Sequence, residues 1–452
     1  MKQKDVIEIL KLGYNVFLTG PAGSGKTFLL NKYINYLKKN KIKVSITAST
    51  GIAATHLDGR TIHSWCGIGI NEKMTDSQIK SLKEKDVLLS RIVSTKVLII
   101  DEISMLNASR LDLIDYVCKV LRKDLRPFGG VQVVLCGDFF QLPPVARGKE
   151  DGRFVTESDI WEDMNINICY LEEQYRQNDK KFLGLLNDIR GNTANHKTYN
   201  MLSKRLNKKV NFKIKPTKLH THKMDVDVYN NFEINKIKGK ESVYEMHSEG
   251  VPYLVQSLKD GYCLAPETLK LKVDAVVMFV KNNYVKGFVN GTLGRVVRFD
   301  ESDGYPVIET FSGKQIIAFP EKWIIEEGGE VVASVSQVPL RLAWAITVHK
   351  SQGMSLDCAE IDLSKTFEYG MGYVALSRVR SLDGIKLVGI NELALKVNDK
   401  AIKLDEEFIK RSQGDFDKYC GFEKSIIKKM QKLFIKNNKQ SDSIGGIFEV
   451  QF

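Results

Sequence analysis

No stretch of this 452-residue chain offers the ~18 consecutive apolar residues of a membrane-spanning helix, so a membrane-embedded role drops out first. The opening "MKQKDVIEIL" has neither a secretory core nor Arg/Ser-rich transit character, which fits a cytoplasmic protein. Seven cysteines lie scattered at positions 66, 118, 136, 169, 263, 358 and 420. None forms a C-x-x-C pair or stands at zinc spacing from a histidine, so the expectation is reduced, mostly structural thiols. No cluster of metal-binding carboxylates and no catalytic tyrosine motif stands out, which argues against an appended nuclease or relaxase activity.

What is present is size and positive charge. A chain of 452 residues that is 43% hydrophobic can bury substantial cores and suggests two to four domains. A net charge of +12 favours a polyanionic partner, with nucleic acid the leading candidate. The Lys-rich runs "KYINYLKKNKIK" and "KSIIKKMQKLFIKNNK" read first as solvated helix faces.

The stretch "NVFLTGPAGSGKTFLL" reads as an apolar strand, a Gly-rich turn and a helix, and it fits G-x-x-x-x-G-K-[ST] from Gly20 to Thr27. Gly20, Gly23 and Gly25, with Ser24 between the last two, let backbone N–H groups close on phosphate oxygens. Lys26 reaches the β and γ phosphates of ATP, and the Thr27 hydroxyl ligates Mg2+ at a helix N-terminus. "KVLIIDEISML" is a fully apolar strand that delivers Asp101 and Glu102 to the sheet edge. Asp101 is placed to hold Mg2+ and Glu102 to deprotonate the attacking water, which points to nucleotide hydrolysis. "VVLCGDFFQLPPV" reads as another strand of this sheet, with Gln141 just beyond its carboxyl end. Its amide is either a sensor of the terminal phosphate or a turn residue satisfying local backbone.

With these pieces in order the sequence resembles the petite integration frequency (Pif) family of DNA helicases, in superfamily 1B and close to RecD-type helicases. Further motifs carry the resemblance: "ASTGIAATHLDGRTIHSW", "RLDLIDYVCKVLRK" followed by "RPFGGVQVVLCGDFFQLPPV", "LEEQYRQ", "AITVHKSQGMSLD" and "YVALSRVRS". It implies an α/β fold of two RecA-like lobes with parallel sheets, and "TKLHTH", "LRLAWAIT", "CAEIDL" and "GIKLVGI" read independently as strands of the second sheet, which lacks its own phosphate loop. The first lobe is expected over 1–65 and 96–200, with a small accessory wedge domain at 66–95. The second is expected over 201–239 and 338–435, interrupted by a small β-barrel at 240–337 that in the family grips the strand and by composition alone is equally an inert spacer. The C-terminal 436–452 reads as a flexible tail. In "LKVDAVVMF", Asp274 stands where the family leads one to expect glycine.

The resemblance also assigns residues. Gln3 would read adenine, Gln352 and Gly353 would join the nucleotide site, and Arg378 would act as a finger on the γ-phosphate, with Arg176 a second cation and Arg380 the neighbour most easily confused with the finger. Thr50 and Thr55, and His349 and Lys350 on the other lobe, would contact DNA phosphates. His63 and Trp65 either stack on bases or brace the strand channel, or else form a buried aromatic pair. The implied activity is 5′ to 3′ translocation on single-stranded DNA with unwinding of forked duplex by a monomer, on a prokaryotic nucleoid rather than in an organelle. G-quadruplexes and RNA–DNA hybrids are further family substrates. An ATP-switched clamp that binds DNA without stepping is the competing class, and paired DNA motifs on both lobes argue against it.

Overall fold

The computed structural model describes residues 1–439 except 58, 70, 72, 145–151, 178, 209–215, 262, 284, 289 and 328–329. Six parallel strands build the first sheet: β1 (Val16–Thr19), β2 (Val44–Ala48), β3 (Arg60–Thr61), β4 (Val97–Asp101), β5 (Gln132–Cys136) and β6 (Asn167–Tyr170). They lie in the order β3-β2-β4-β5-β1-β6. Both faces are covered, so the strands read as unbroken apolar runs: Phe17, Leu98 and Ile100 enter one core, while Val16, Leu18, Val97 and Ile99 enter the other. The order matters for the site. Since β4, β5 and β1 are neighbours, the turns after Thr19, Asp101 and Cys136 leave the sheet side by side.

The chain then enters a second sheet through β7 (Thr217–His220) and makes a long excursion: β8 (Ser242–Glu245), β9 (His247–Gly250), β10 (Thr268–Leu271), β11 (Val276–Phe279), β12 (Leu293–Phe299), β13 (Pro306–Thr310), β14 (Gln315–Ile317), β15 (Glu321–Glu327), β16 (Glu330–Gln337) and β17 (Leu340–Leu342). It returns as β18 (Ala345–Thr347), β19 (Ala359–Leu363) and β20 (Ile385–Ile390), and the second sheet runs β18-β7-β19-β20, all parallel. The excursion is a five-stranded antiparallel sheet, β14-β13-β12-β11-β17, with a pair β10-β8, a triplet β15-β16-β9 and a helix Pro252–Gly261. It has its own core, in which Phe279 and Phe288 stack at 4.1 Å. Its last strand is β17, so it continues past residue 337. Asp274 holds φ of +72°, in the left-handed region, which is the physical reason a glycine would suit that turn.

Two expectations are corrected here. The stretch 338–435 does not belong wholly to the second lobe, because the helices Asp399–Cys420 and Lys424–Asn438 pack on the first. The edge strand β6 explains this: its N–H groups need partners, and Asp415 accepts from Ile168 at 2.7 Å while Ser412 accepts from Tyr170 at 3.1 Å. Phe408 packs edge-on against Phe17 at 5.1 Å, and Phe434 joins the core under β1. The expected tail boundary at residue 436 falls inside a helix that continues to Asn438; residues 440–452 lie outside the described residues. The segment 66–95 forms two short helices, Asp76–Ser81 and Asp86–Ser94, whose Ile79, Leu88 and Ile92 share the core of the first lobe. Among the described residues no helix is long and apolar enough to cross a membrane.

Candidate nucleotide cleft and nucleic-acid surface

A cleft of about 1220 Å3 opens between the lobes and is lined by Gly23, Gly25, Lys26, Thr27, Glu102 and Gln141 from the first, and by Gly353 and Arg378 from the second. Gly25 caps the helix Lys26–Lys39 at φ +85°, and a Cβ there would meet the Gln3 amide nitrogen at 2.3 Å. The absence of a side chain at Gly25 leaves room for Gln3 over the loop, where its Nε2 donates to the Ser24 carbonyl at 3.2 Å. Lys26 Nζ donates to the Gly20 and Pro21 carbonyls at 2.7 and 3.1 Å. Gly20, Ser24 and Gln352 stand behind the lining rather than on it; Ser24 and Gln352 are buried.

Asp101 is buried at the end of β4 and its Oδ1 accepts from the Glu102 N–H at 2.9 Å. Glu102 itself takes φ of +51°, a backbone state that costs a side-chain-bearing residue of order 1 kcal/mol and turns its carboxylate into the cleft. Burial first, then the Asp101 charge, push the Glu102 pKa up to about 7, against the pull of Arg378 and Lys26. A general base poised near neutrality is what water activation asks for. Among the described residues no group of three or more His, Cys, Asp or Glu forms a metal cage. One hydroxyl and one carboxylate, Thr27 and Asp101, suit Mg2+, which completes its shell with phosphate and water.

Arg378 is 2% exposed, held by its Nε to the Val374 carbonyl at 3.0 Å and by Nη2 to Ser377 Oγ at 2.9 Å. Arg380 also reaches the cleft, but as an exposed ion pair with Asp357 at 3.3 Å. The geometry thus separates the two arginines the sequence left adjacent. Arg176 donates to the Ser377 carbonyl at 3.2 Å; burial, then the charge of Arg378, lower its pKa to about 9, a value at which it stays cationic at neutral pH. Gln141 is buried, its N–H donates to the Asp138 carbonyl at 3.0 Å, and its Oε1 has no partner among the described residues. Its loop abuts the second lobe: a Cβ on Gly370 would sit 2.7 Å from the Gln141 carbonyl oxygen.

The DNA assignments fare unevenly. Thr50 caps the helix Gly51–His56 by accepting from the Ala53 N–H at 3.3 Å; Thr55 lies on that helix with its side chain outside the described residues. His63 is partly buried, and desolvation, then Arg110, push its pKa down to about 4, so it is neutral. Trp65 is 1% exposed within the first-lobe core, which corrects the base-stacking reading for it: its ring is already buried in protein. His349 and Lys350 sit in a turn just after β18. Burial, then Arg341, lower the Lys350 pKa to about 8.

Comparison with known proteins decides the assignment. Residues 2–198 match the family model for the PIF1-like helicase, and 254–299 that for the 2B domain of DNA helicase Pif1. An ATP-dependent DNA helicase Pif1 of Psychrobacter is 42% identical over 96% of this chain and 75% of its own length. The chain belongs to the PIF1-like helicase family. It spans 66% of a Danio rerio member. The Pif1 helicase of Candida albicans superposes with a TM-score of 0.77 at 34% identity, covering 90% of this chain and 98% of that one. A Bacteroides Pif1 solved with ADP-AlF4 gives 0.74 at 31% identity over 92% and 97%, and one bound to single-stranded DNA gives 0.65 at 31% over the same shares.

Within this family frame, four residues that sequence reasoning passed over emerge. Gln177, last in "LEEQYRQ", donates to the Ser377 and Val379 carbonyls at 3.0 and 3.3 Å and so brackets Arg378. Tyr373, on the short helix Met371–Ser377, accepts from the Ala22 N–H at 3.0 Å. Arg190 lies under the Gln141 loop, 3.5 Å from Asp138, 2.7 Å from Asp405 and 4.1 Å above the Phe140 ring. Burial opposes its charge, but Asp138, Tyr373, Tyr170 and Asp405 outweigh that and raise its pKa. Arg341 borders a small cavity with Lys350. Position within a motif was the only sequence signal for Gln177 and Tyr373, and Arg190 and Arg341 had none.

Proposed function

We propose that this protein is an ATP-driven motor that moves 5′ to 3′ along single-stranded DNA and unwinds the duplex ahead of it. The observation that carries the reading is the single cleft in which Lys26, Thr27, Glu102 and Gln141 of one lobe line the same space as Arg378 of the other. Loop amides and Lys26 hold the phosphates of ATP, Gln3 orients the base, and Glu102 takes a proton from the attacking water. Mg2+, held by Thr27 and Asp101, would neutralise charge on the phosphate oxygens. Arg378, with Arg176 beside it, stabilises the charge that develops on the leaving phosphates once the lobes close. Gln141 passes the loss of the terminal phosphate to the second lobe.

Thr50, Thr55, His63, His349 and Lys350 grip the DNA from the two lobes in alternation, reading the phosphate backbone rather than sequence, so G-quadruplexes, hybrids and forks are all within reach. The helices of 76–94 serve as the wedge and the inserted β domain as a clamp on the strand, with one monomer per tracking strand in a prokaryotic cytoplasm. The polarity rests on the resemblance to the family. Unwinding of matched duplexes with 5′ or 3′ tails tests activity and direction together: only the 5′-tailed substrate should open, and preference for the 3′ tail would overturn the reading.

A further inference from the structure

Phe367 is a large apolar side chain that joins no hydrophobic core and stands 52% exposed. A single exposed aromatic needs no explanation in general, but the place of this one is particular. In the second sheet β18, β7 and β19 are neighbours and parallel, so their carboxyl ends lie along one edge, where ligands of open α/β sheets collect. Each of those ends carries a ring: His349 after β18, His222 after β7 and Phe367 after β19. The Phe367 centroid is 4.9 Å from that of His222 and 6.4 Å from that of His349, the planes of the latter pair nearly parallel at 20°.

The platform is held rigidly. Thr366 Oγ1 donates to the Leu363 carbonyl at 2.9 Å and Asn391 Nδ2 to the Thr366 carbonyl at 2.8 Å, which pins the turn that carries Phe367. On the other side the His222 ring is joined to the buried Thr221 hydroxyl at 2.8 Å. Each histidine is followed in the chain by a lysine, His222 by Lys223 and His349 by Lys350. Aromatic faces beside positive charge are the two elements by which proteins hold single strands without reading sequence.

We infer that Phe367, braced by His222 and His349, is a stacking site for an unpaired nucleobase of the tracked DNA strand. The inference deepens the translocase reading and rests on it. Contacts of His349 and Lys350 to DNA phosphates give no grip on the base; a ring beside them supplies friction on each nucleotide, which a motor needs when its other lobe lets go.

The test compares a thymidine oligomer with an abasic oligomer of equal length, binding measured by fluorescence anisotropy. Phe367→Ala should weaken binding to the thymidine strand about 5- to 150-fold and leave abasic binding at the wild-type value. Phe367→Tyr, which keeps the ring, should restore the thymidine preference. Equal loss on both strands, or none on either, overturns the stacking site. The double variant His349→Ala, Lys350→Ala separates this failure from that of the DNA surface itself: it should weaken both strands, and if it weakens neither, the translocase surface and the inference fall together.

Discussion

The N–H of Ala22, in the phosphate loop, donates to the hydroxyl of Tyr373, on the helix that leads into Arg378, at 3.0 Å. A backbone donor of one lobe is thereby tied to the helix that leads into Arg378 in the other, and Tyr373 is 2% exposed, so the tie is shielded from water. Tyr373→Phe removes the hydroxyl alone. DNA-stimulated kcat should fall about tenfold, the size of one net hydrogen bond, while KM for ATP stays within threefold. Steady-state kinetics with saturating single strand checks the split, and a rise in KM without a fall in kcat would place the bond in ground-state binding.

The raised Glu102 pKa gives a pH signature. The base works deprotonated, so in the free enzyme kcat/KM should climb as pH rises through about 7 and level above it. Glu102→Gln should lower turnover by about 100-fold or more, retain ATP binding and flatten that limb. A variant with turnover within threefold of wild type removes Glu102 as the base.

Gln141 stands between the cleft and the second lobe, with Gly370 packed on its carbonyl. Gln141→Ala should keep ATP and single-strand binding yet unwind fewer base pairs per ATP consumed. The ratio of unwinding rate to hydrolysis rate on one tailed substrate measures this. A wild-type ratio with both rates lowered together would reduce Gln141 to a positioning role.

Lys350 is expected to make DNA affinity pH-dependent. Its pKa lies near 8 because of burial and the charges of Arg341 and Lys223, with Asp227 opposing them. The cation is present below that pH, so affinity should decline above pH 8, by up to about tenfold per pH unit. Bound phosphate moves the decline upward. Lys350→Arg keeps its charge and should abolish the trend, while salt titrations should show a steep log-linear loss of binding that is similar across base sequences.

The first lobe was legible because its chemistry sits on strands that must be apolar throughout: "NVFLTG", "KVLIIDE" and "VVLCGD" mark their own ends, and the parallel order puts those ends together. The positive φ at Asp274 was not legible, since the resemblance marked only that a glycine was expected there and the backbone supplies the reason. The Asp399–Cys420 helix was not, because its destination is set by edge amides on β6 that lie 247 and 242 residues before the groups that accept from them. Trp65 was ambiguous in the sequence for a simpler reason: an aromatic beside a DNA motif has the same composition whether it faces bases or core. Arg190 and Arg341 acquire meaning only from groups that folding brings to them.

The central claim is that two lobes complete one hydrolytic site, and Arg378→Ala tests it most directly. The charge its guanidinium meets develops only in the transition state, so DNA-stimulated turnover should fall about 1000-fold while the Kd for ATP stays within threefold of wild type. Equal losses in turnover and ATP affinity, or turnover left unchanged, would contradict it.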